Sequence, residues 1–239
     1  MTDYFPFRRL GFRCNPFRRP TAEEWASLAV LPGGLLEAVR GGGHVQVIGD
    51  AGTGKSTCLR GLAARFAGEG RRAGYECLAA GQRRPATRVG GLEVLLLDEA
   101  QRLTRRERSG LLEGLAAGRG RPRMVLGVHE DLTPLFARYG QPLLTVRLGR
   151  CPPSHAVAVL SRRLSYFALD DPPATAFSAE AAGYLCAALD GNLRRIDDFL
   201  YEFFQALPRP GLVTAAMLAE FNSLGSPPVS ERPRPARFA

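Results

Sequence analysis

The stretch Gly49-Asp50-Ala51-Gly52-Thr53-Gly54-Lys55-Ser56, directly after His44-Val45-Gln46-Val47-Ile48, constrains the fold of this chain more than any other. It matches G-x-x-x-x-G-K-[ST], a loop that joins a strand to a helix. An apolar, β-branched run precedes it. A helical pattern follows, with Leu59, Leu62, Ala63 and Phe66 at i, i+3, i+4 and i+7. Glycines let the backbone curl so that successive N–H groups point at phosphate oxygens, and the helix opening at Gly54 adds the positive end of its dipole. Gly49, Asp50, Ala51, Gly52, Thr53, Gly54, Lys55, Ser56 and Thr57 are therefore the candidate ATP-binding residues. Lys55 would reach the β- and γ-phosphates, and the Ser56 hydroxyl would ligate Mg²⁺.

Of the 32 basic residues, Lys55 is the one lysine and the other 31 are arginine. A flat five-donor guanidinium does not fit a curled loop that needs a compact ammonium. The second decisive stretch is Glu93-Val94-Leu95-Leu96-Leu97-Asp98-Glu99. Four consecutive apolar residues predict a strand buried on both faces, as in a parallel sheet, with two carboxylates at its C-terminal end, where ligands sit in such sheets. This is a Walker B pattern, with Asp98 holding Mg²⁺ and Glu99 polarising the attacking water. The order of the two motifs and their separation of about 40 residues point together to ATP hydrolysis.

Hydrophobic content of 45% and charged content of 23% are those of a soluble globular protein. No apolar stretch approaches the roughly 20 residues that span a bilayer, and the N-terminus has no secretory h-region. Pro6, Pro16 and Pro20 argue against a helical transit peptide. Five scattered cysteines (Cys14, Cys58, Cys77, Cys151, Cys186) without C-x-x-C spacing read as reduced, mostly buried thiols in a cytoplasmic protein. The net charge is +9, and Met1 to Arg150 holds 24 basic and 14 acidic residues. That excess fits either a polyanionic partner or a solvated basic surface.

Along the chain, Phe5-Pro6-Phe7-Arg8-Arg9 and Asn15-Pro16-Phe17-Arg18-Arg19 interleave aromatics with arginines. They could stack on bases or line an adenine pocket; the favoured alternative is a strap whose phenylalanines pack on the domain core. Thr21 with Glu24 makes a capping box for a helix from Ala22 to Leu28. A strand is predicted at Ala73 to Leu78. Gly81 to Gly91, with Arg83, Arg84 and Arg88, is a loop suited to nucleic-acid backbone contact or simply to solvent. Thr104 caps a helix to about Ala117, Gly118 to Arg123 is a basic loop, and Met124 to Val128 is a buried strand. His129 follows, placed to sense a γ-phosphate or to begin a surface helix. Asp131 to Tyr139 is helical, Leu143 to Leu148 is the last strand, and Arg138 lies between them. From Pro152 helices alone are predicted: one capped by Ser154 to Phe167, one capped by Ser178, then Asn192 to Leu207 and Thr214 to Leu224. Leu160, Leu164, Leu185, Ile196, Phe199, Leu200 and Phe203 would form their core.

The predicted fold class is α/β: a P-loop NTPase core, a parallel sheet with helices on both faces, followed by a small all-helical lid. The predicted divisions are 1–43 (strap and short helices), 44–150 (ATPase core), 151–224 (lid) and 225–239, a Pro/Arg tail either disordered or bound to a partner in extended form.

The P-loop strand, LLLDEAQRL, a polar residue after the next strand, and Asp190-Gly191-Asn192-Leu193-Arg194-Arg195-Ile196-Asp197 in the lid together resemble the AAA+ ATPases, over roughly residues 5 to 222. The resemblance implies that Arg194 is the sensor-2 arginine, with Arg195 the neighbouring alternative. It also implies that Arg138 is an arginine finger acting in trans, so that the active form is a homo-oligomer, a ring or a filament. Gly11 to Phe17 (G-F-x-x-N-P-F) and LLLDEAQRL are similar to two groups within AAA+. One is the transposition-regulator ATPases, which assemble on double-stranded DNA with ATP and recruit a transposase. The other is the general-secretion ATPases, whose similar domain sits in a longer membrane-attached protein and whose partner would be protein. Absence of a transmembrane segment favours the first group. The brevity of Gly81 to Gly91 departs from both.

Overall fold

The computed structural model describes residues 7–116 and 122–224. The expectations placed on the basic loop at 118–121, on the helix end at Ala117, on Phe5-Pro6 and on the tail 225–239 lie outside the described residues. The chain divides into two compact units, Pro20–Gly149 and a second made of the residues up to Arg19 together with those from Arg150.

The first unit is built on a five-stranded, wholly parallel sheet. Its strands are β1 (His44–Gly49), β2 (Ala73–Cys77), β3 (Val94–Asp98), β4 (Arg123–Val128) and β5 (Leu143–Leu148), in the order β2-β3-β4-β1-β5. Side chains alternate across each strand, and the central strands bury both faces. Val45, Val47, Val94, Leu96 and Val125 pack with α2 (Leu35–Arg40) and α3 (Lys55–Gly68) through Leu36, Val39, Leu59, Leu62 and Phe66. Leu95, Leu97, Met124, Leu126 and Val128 pack with α4 (Arg105–Ala116) and α5 (Thr133–Arg138) through Leu112, Leu132 and Phe136. The helices thus lie on both faces, as the strand patterns require. The helix α1 (Ala22–Leu28) packs on α3 and has the predicted capping box: Glu24 N–H donates to Thr21 Oγ1 at 3.4 Å, and Thr21 N–H to Glu24 Oε2 at 2.7 Å.

The second unit holds α6 (Pro153–Phe167), α7 (Ala179–Ala188), α8 (Leu193–Ala206) and α9 (Ala215–Ser223). Two features differ from expectation. A short parallel pair, β6 (Ala176–Phe177) with β7 (Leu212–Val213), interrupts the helices. Ser154 caps nothing, because α6 opens at Pro153 with Pro152 extended before it, and proline fits a first helical position where no N–H needs a partner. Ser178, Asn192 and Thr214 do cap their helices, each accepting from backbone N–H groups of the first turn. All seven residues named for the helical core are buried.

The strap at 7–19 belongs with these helices, not with the parallel sheet, and the boundary between the units falls at Arg19/Pro20. Phe12 and Phe17 are buried against Phe204 of α8, with ring centroids 6.0 and 4.9 Å apart. Asn15 Nδ2 donates to Tyr201 O at 2.9 Å, and Arg163 Nε to Pro16 O at 3.2 Å. These two rings are core, which removes them from base stacking. The division also redistributes charge. Pro20–Gly149 carries 18 basic and 13 acidic residues, and the other unit 14 and 10. The basic excess read along the chain is therefore shared almost evenly between units. No helix among the described residues is long and apolar enough to cross a membrane.

Candidate functional site

Strand register brings the candidate residues together within the sheet unit. Asp98 pairs with Gly127, and Gly127 with Val47, so neighbouring tips carry Asp98 and Glu99 on β3, His129 after β4, and Gly49 on β1. The loop leaving Gly49 curls because Gly52 and Gly54 take φ of +86° and +99°, a region that L side chains avoid. Gly49 itself has no room for a side chain: a Cβ would lie 2.5 Å from Leu148 O and 2.7 Å from Thr53 Oγ1. Thr53 Oγ1 donates to Asp50 O at 2.9 Å and closes the curl. Gly54 precedes α3 without a side-chain cap, so the positive end of that helix lies at the loop. Lys55 is 5% exposed, its Nζ donating to Gly49 O at 2.5 Å and Asp50 O at 2.9 Å. Ser56 is exposed and Thr57 half-buried on the same turn.

Asp98 is fully buried. Its Oδ1 accepts from Glu99 N–H at 3.1 Å, and Tyr75 Oη lies 3.4 Å from Oδ2. Gly127 makes this possible, since a Cβ there would stand 2.5 Å from Asp98 Oδ1 and 3.3 Å from Leu59 of α3. Asp98 therefore lies against the helix that the phosphate loop opens. A curled amide loop and a buried ammonium at the tip of β1, and a buried carboxylate at the tip of β3 one strand away, fit a magnesium-bound triphosphate in their donor chemistry.

Glu99 sits at φ 59°, the left-handed region, unusual for a residue with a Cβ. Both its oxygens are engaged. Gln101 Nε2 donates to Oε2 at 2.9 Å, Arg102 pairs with the same oxygen at 3.0 Å, and His129 Nε2 is 3.4 Å from Oε1. The structure thus brings His129, 35% exposed, to Glu99. Arg102 also donates to Leu78 O at 2.5 Å. Arg108 of α4 donates to the carbonyls of Gln101 and Leu103, the latter at 3.1 Å, and pairs with Glu130 at 2.8 Å, tying the turn after β3 to the turn after β4.

Arg138 is exposed on the last turn of α5. Arg194 is exposed on the first turn of α8 in the helical unit, where Asn192 Oδ1 accepts from its backbone N–H at 3.1 Å; Arg195 lies 3.8 Å from Asp190. Burial pushes the Cys58 and Cys151 thiols up to about 12, consistent with packing roles, whereas Cys77 is exposed. Sequence reasoning missed Tyr75, Arg60, Gln101, Arg102 and Arg108, whose roles come from packing between elements. It also missed Gln46, which had a signal: one polar residue inside a buried apolar run. Gln46 is fully buried, and its Nε2, with two protons to donate, lies within hydrogen-bond distance of Asp131 Oδ1 (2.7 Å), Thr133 Oγ1 (2.9 Å) and Thr145 Oγ1 (2.8 Å), while Oε1 accepts from Leu132 N–H (2.9 Å).

Neither a protein-family profile nor a curated protein sequence matches the chain. Solved structures do. The chain is similar to the RuvB Holliday junction branch migration motor of Thermotoga maritima at 17% identity and a TM-score of 0.55, covering 85% of this chain and 68% of that one. A proline-to-glycine mutant of the same Thermotoga protein matches at 16% identity and a TM-score of 0.55, covering 88% of this chain and 72% of that one. At such identities the likeness is one of fold: a parallel five-stranded P-loop sheet of the AAA+ type, followed by helices.

Proposed function

We propose that this protein is an AAA+ ATPase that binds ATP with Mg²⁺, hydrolyses it as an oligomer, and works in association with duplex DNA. The observation that carries the ATPase reading is that the Gly49–Lys55 curl leaves the tip of β1 while the buried Asp98 stands at the tip of β3, with the side-chain-free Gly127 of β4 between them. Magnesium, when bound, neutralises charge on the β- and γ-phosphates. The loop N–H groups bind and orient those phosphates, and Lys55 exchanges the carbonyls of Gly49 and Asp50 for phosphate oxygens. Ser56 and Asp98 would hold the metal. Glu99 accepts the proton of the attacking water, for which one of its oxygens must leave Arg102, Gln101 or His129. Arg138 acts on a neighbour's nucleotide, and Arg194 reports nucleotide state to the helical unit.

The DNA-directed part of the reading draws support from a surface of arginines. The carboxylate of Glu76 accepts from Ala86 N–H at 2.8 Å and Thr87 N–H at 2.8 Å, which fixes the loop displaying exposed Arg83, Arg84 and Arg88. Thr104 N–H donates to Arg83 O at 3.1 Å and sets exposed Arg105 and Arg106 beside that loop. Guanidinium forks match phosphate oxygens. The similar RuvB is a motor on DNA junctions, in keeping with this partner. The finer assignment, a regulator that recruits a transposase-like enzyme, follows from the resemblance of Gly11 to Phe17 and LLLDEAQRL.

Glu99→Gln tests both parts. The variant keeps ATP binding and loses turnover by 100-fold or more, within the range of general-base effects of about 10²–10⁴. With ATP it retains duplex DNA at low salt, and affinity falls roughly 100-fold between 50 and 200 mM salt if about four phosphates are contacted. Unaltered turnover removes Glu99 from its role. Loss of turnover without DNA retention leaves an ATPase whose partner is protein.

A further inference from the structure

Asp98 is the one acidic side chain among the described residues with no exposed surface, and something must hold its charge in one orientation. Its Oδ1 is fixed by the Glu99 N–H, and Gly127 brings the β4 backbone against that same oxygen. The other oxygen, Oδ2, faces the Tyr75 hydroxyl at 3.4 Å. Tyr75 lies on β2, the far edge of the sheet from the phosphate loop, and belongs to no motif. It is braced in turn: Arg60 Nε donates to Tyr75 Oη at 3.1 Å, and the Arg60 guanidinium lies 4.9 Å from the Tyr75 ring centroid. Beyond Arg60 stands Trp25 of α1, its ring centroid 5.9 Å from the guanidinium. A phenol that accepts from a cation becomes a better donor, since successive hydrogen bonds polarise one another. The phenol O–H donates toward Oδ2, the acceptor that faces it at 3.4 Å.

We propose that Tyr75, braced by Arg60 and Trp25, is the positioning residue for Asp98: it sets the direction in which Oδ2 faces, and so the affinity of the site for the magnesium–nucleotide complex. The inference rests on the ATPase reading and extends it, because it makes metal affinity depend on α1 and β2, elements outside the two motifs. A carboxylate held from both sides suits a small ion that demands near-ideal octahedral geometry; a loosened one admits larger, less exacting cations. Groups behind a metal ligand typically change metal affinity about 10–100-fold when removed.

The experiment uses the full chain and a fluorescent ATP analogue, titrated first in EDTA and then with rising Mg²⁺ or Ca²⁺. Tyr75→Phe keeps the ring under Arg60 and removes the hydroxyl alone. The expected result is metal-free nucleotide affinity within twofold of wild type, a half-saturating Mg²⁺ concentration raised about 10-fold, and a narrowed preference for Mg²⁺ over Ca²⁺. Arg60→Met, which leaves the phenol in place, shifts the Mg²⁺ requirement in the same direction and decides the matter if the tyrosine variant unfolds. A packing role alone predicts no change in Mg²⁺ requirement, and that result overturns the inference. Wild-type protein without magnesium-dependent nucleotide binding overturns the ATPase reading itself. Trp25, the only tryptophan of the chain, offers a second readout at the outer end of the same relay.

Discussion

Lys55 and Asp98 are charged side chains withdrawn from water, and each is tolerable only because the backbone answers it. Lys55 lies on two loop carbonyls, and Asp98 takes a main-chain N–H. Both were legible from spacing alone, because a strand–loop–helix places them whatever the rest of the chain does. Tyr75 and Arg102 were not, since each reaches its partner from an element far away in sequence or around a tight turn. Asp131 is another such case. Hydrogen bonds from Thr133, then from Gln46, with Arg147 nearby, lower its pKa to about 2 from 3.8. A depressed carboxylate adds stability above its unfolded pKa and loses it as pH falls through the folded value. Stability of the protein is therefore expected to drop between about pH 4 and pH 2, and Asp131→Asn flattens that limb in denaturant titrations across the range. An unchanged acid limb would assign the drop to other carboxylates.

At the scale of elements, periodicity located the five strands of the main sheet within a residue or two, the central three because their apolar runs have nowhere to go but a two-sided core, whereas the two-residue strands β6 and β7 are too short to show a period. The helix expected at Asp131 to Tyr139 instead spans Thr133–Arg138, since Asp131 Oδ1 accepts from Thr133 N–H and holds a turn before the helix begins. Gln46 links these elements: from the middle of β1 it binds the turn between β4 and α5 and reaches across to β5. Gln46→Leu keeps the volume and leaves the buried Leu132 N–H without its acceptor, at a cost of about 1–3 kcal/mol, while exposed Asp131, Thr133 and Thr145 can turn to water. Urea unfolding reads the loss, and hydrogen exchange should rise first at Leu132 and Thr133. A loss below about 1 kcal/mol would mean that the turn finds other partners.

For the whole molecule, the division into units changes what the charge means. The arginines at positions 8, 9, 13, 18 and 19 belong with the helices, so the sheet unit does not hold the whole basic excess. Oligomerisation belongs at this scale too. Arg138→Ala is expected to cut turnover by about 10³-fold or more, the span of arginine fingers. Mixing it with a Glu99→Gln variant, which has an intact Arg138, should restore part of the activity at sites that pair Glu99 of one copy with Arg138 of another. Lack of rescue would shift the finger to a different arginine.

By itself the sequence determined the curled strand–loop–helix at Gly49 to Ser56, the buried acidic strand, the alternation of strands and helices around the main sheet, and the four C-terminal helices. Each depends on residues close together in the chain and on side-chain periodicities of 2 or 3.6. Only the tertiary structure decided that the N-terminal strap completes the helical core, that Gln46 organises one side of the sheet, and that Tyr75 stands behind Asp98. Those pairings join segments from 23 to almost 200 residues apart, and no local pattern records which distant side chain a buried polar atom will meet.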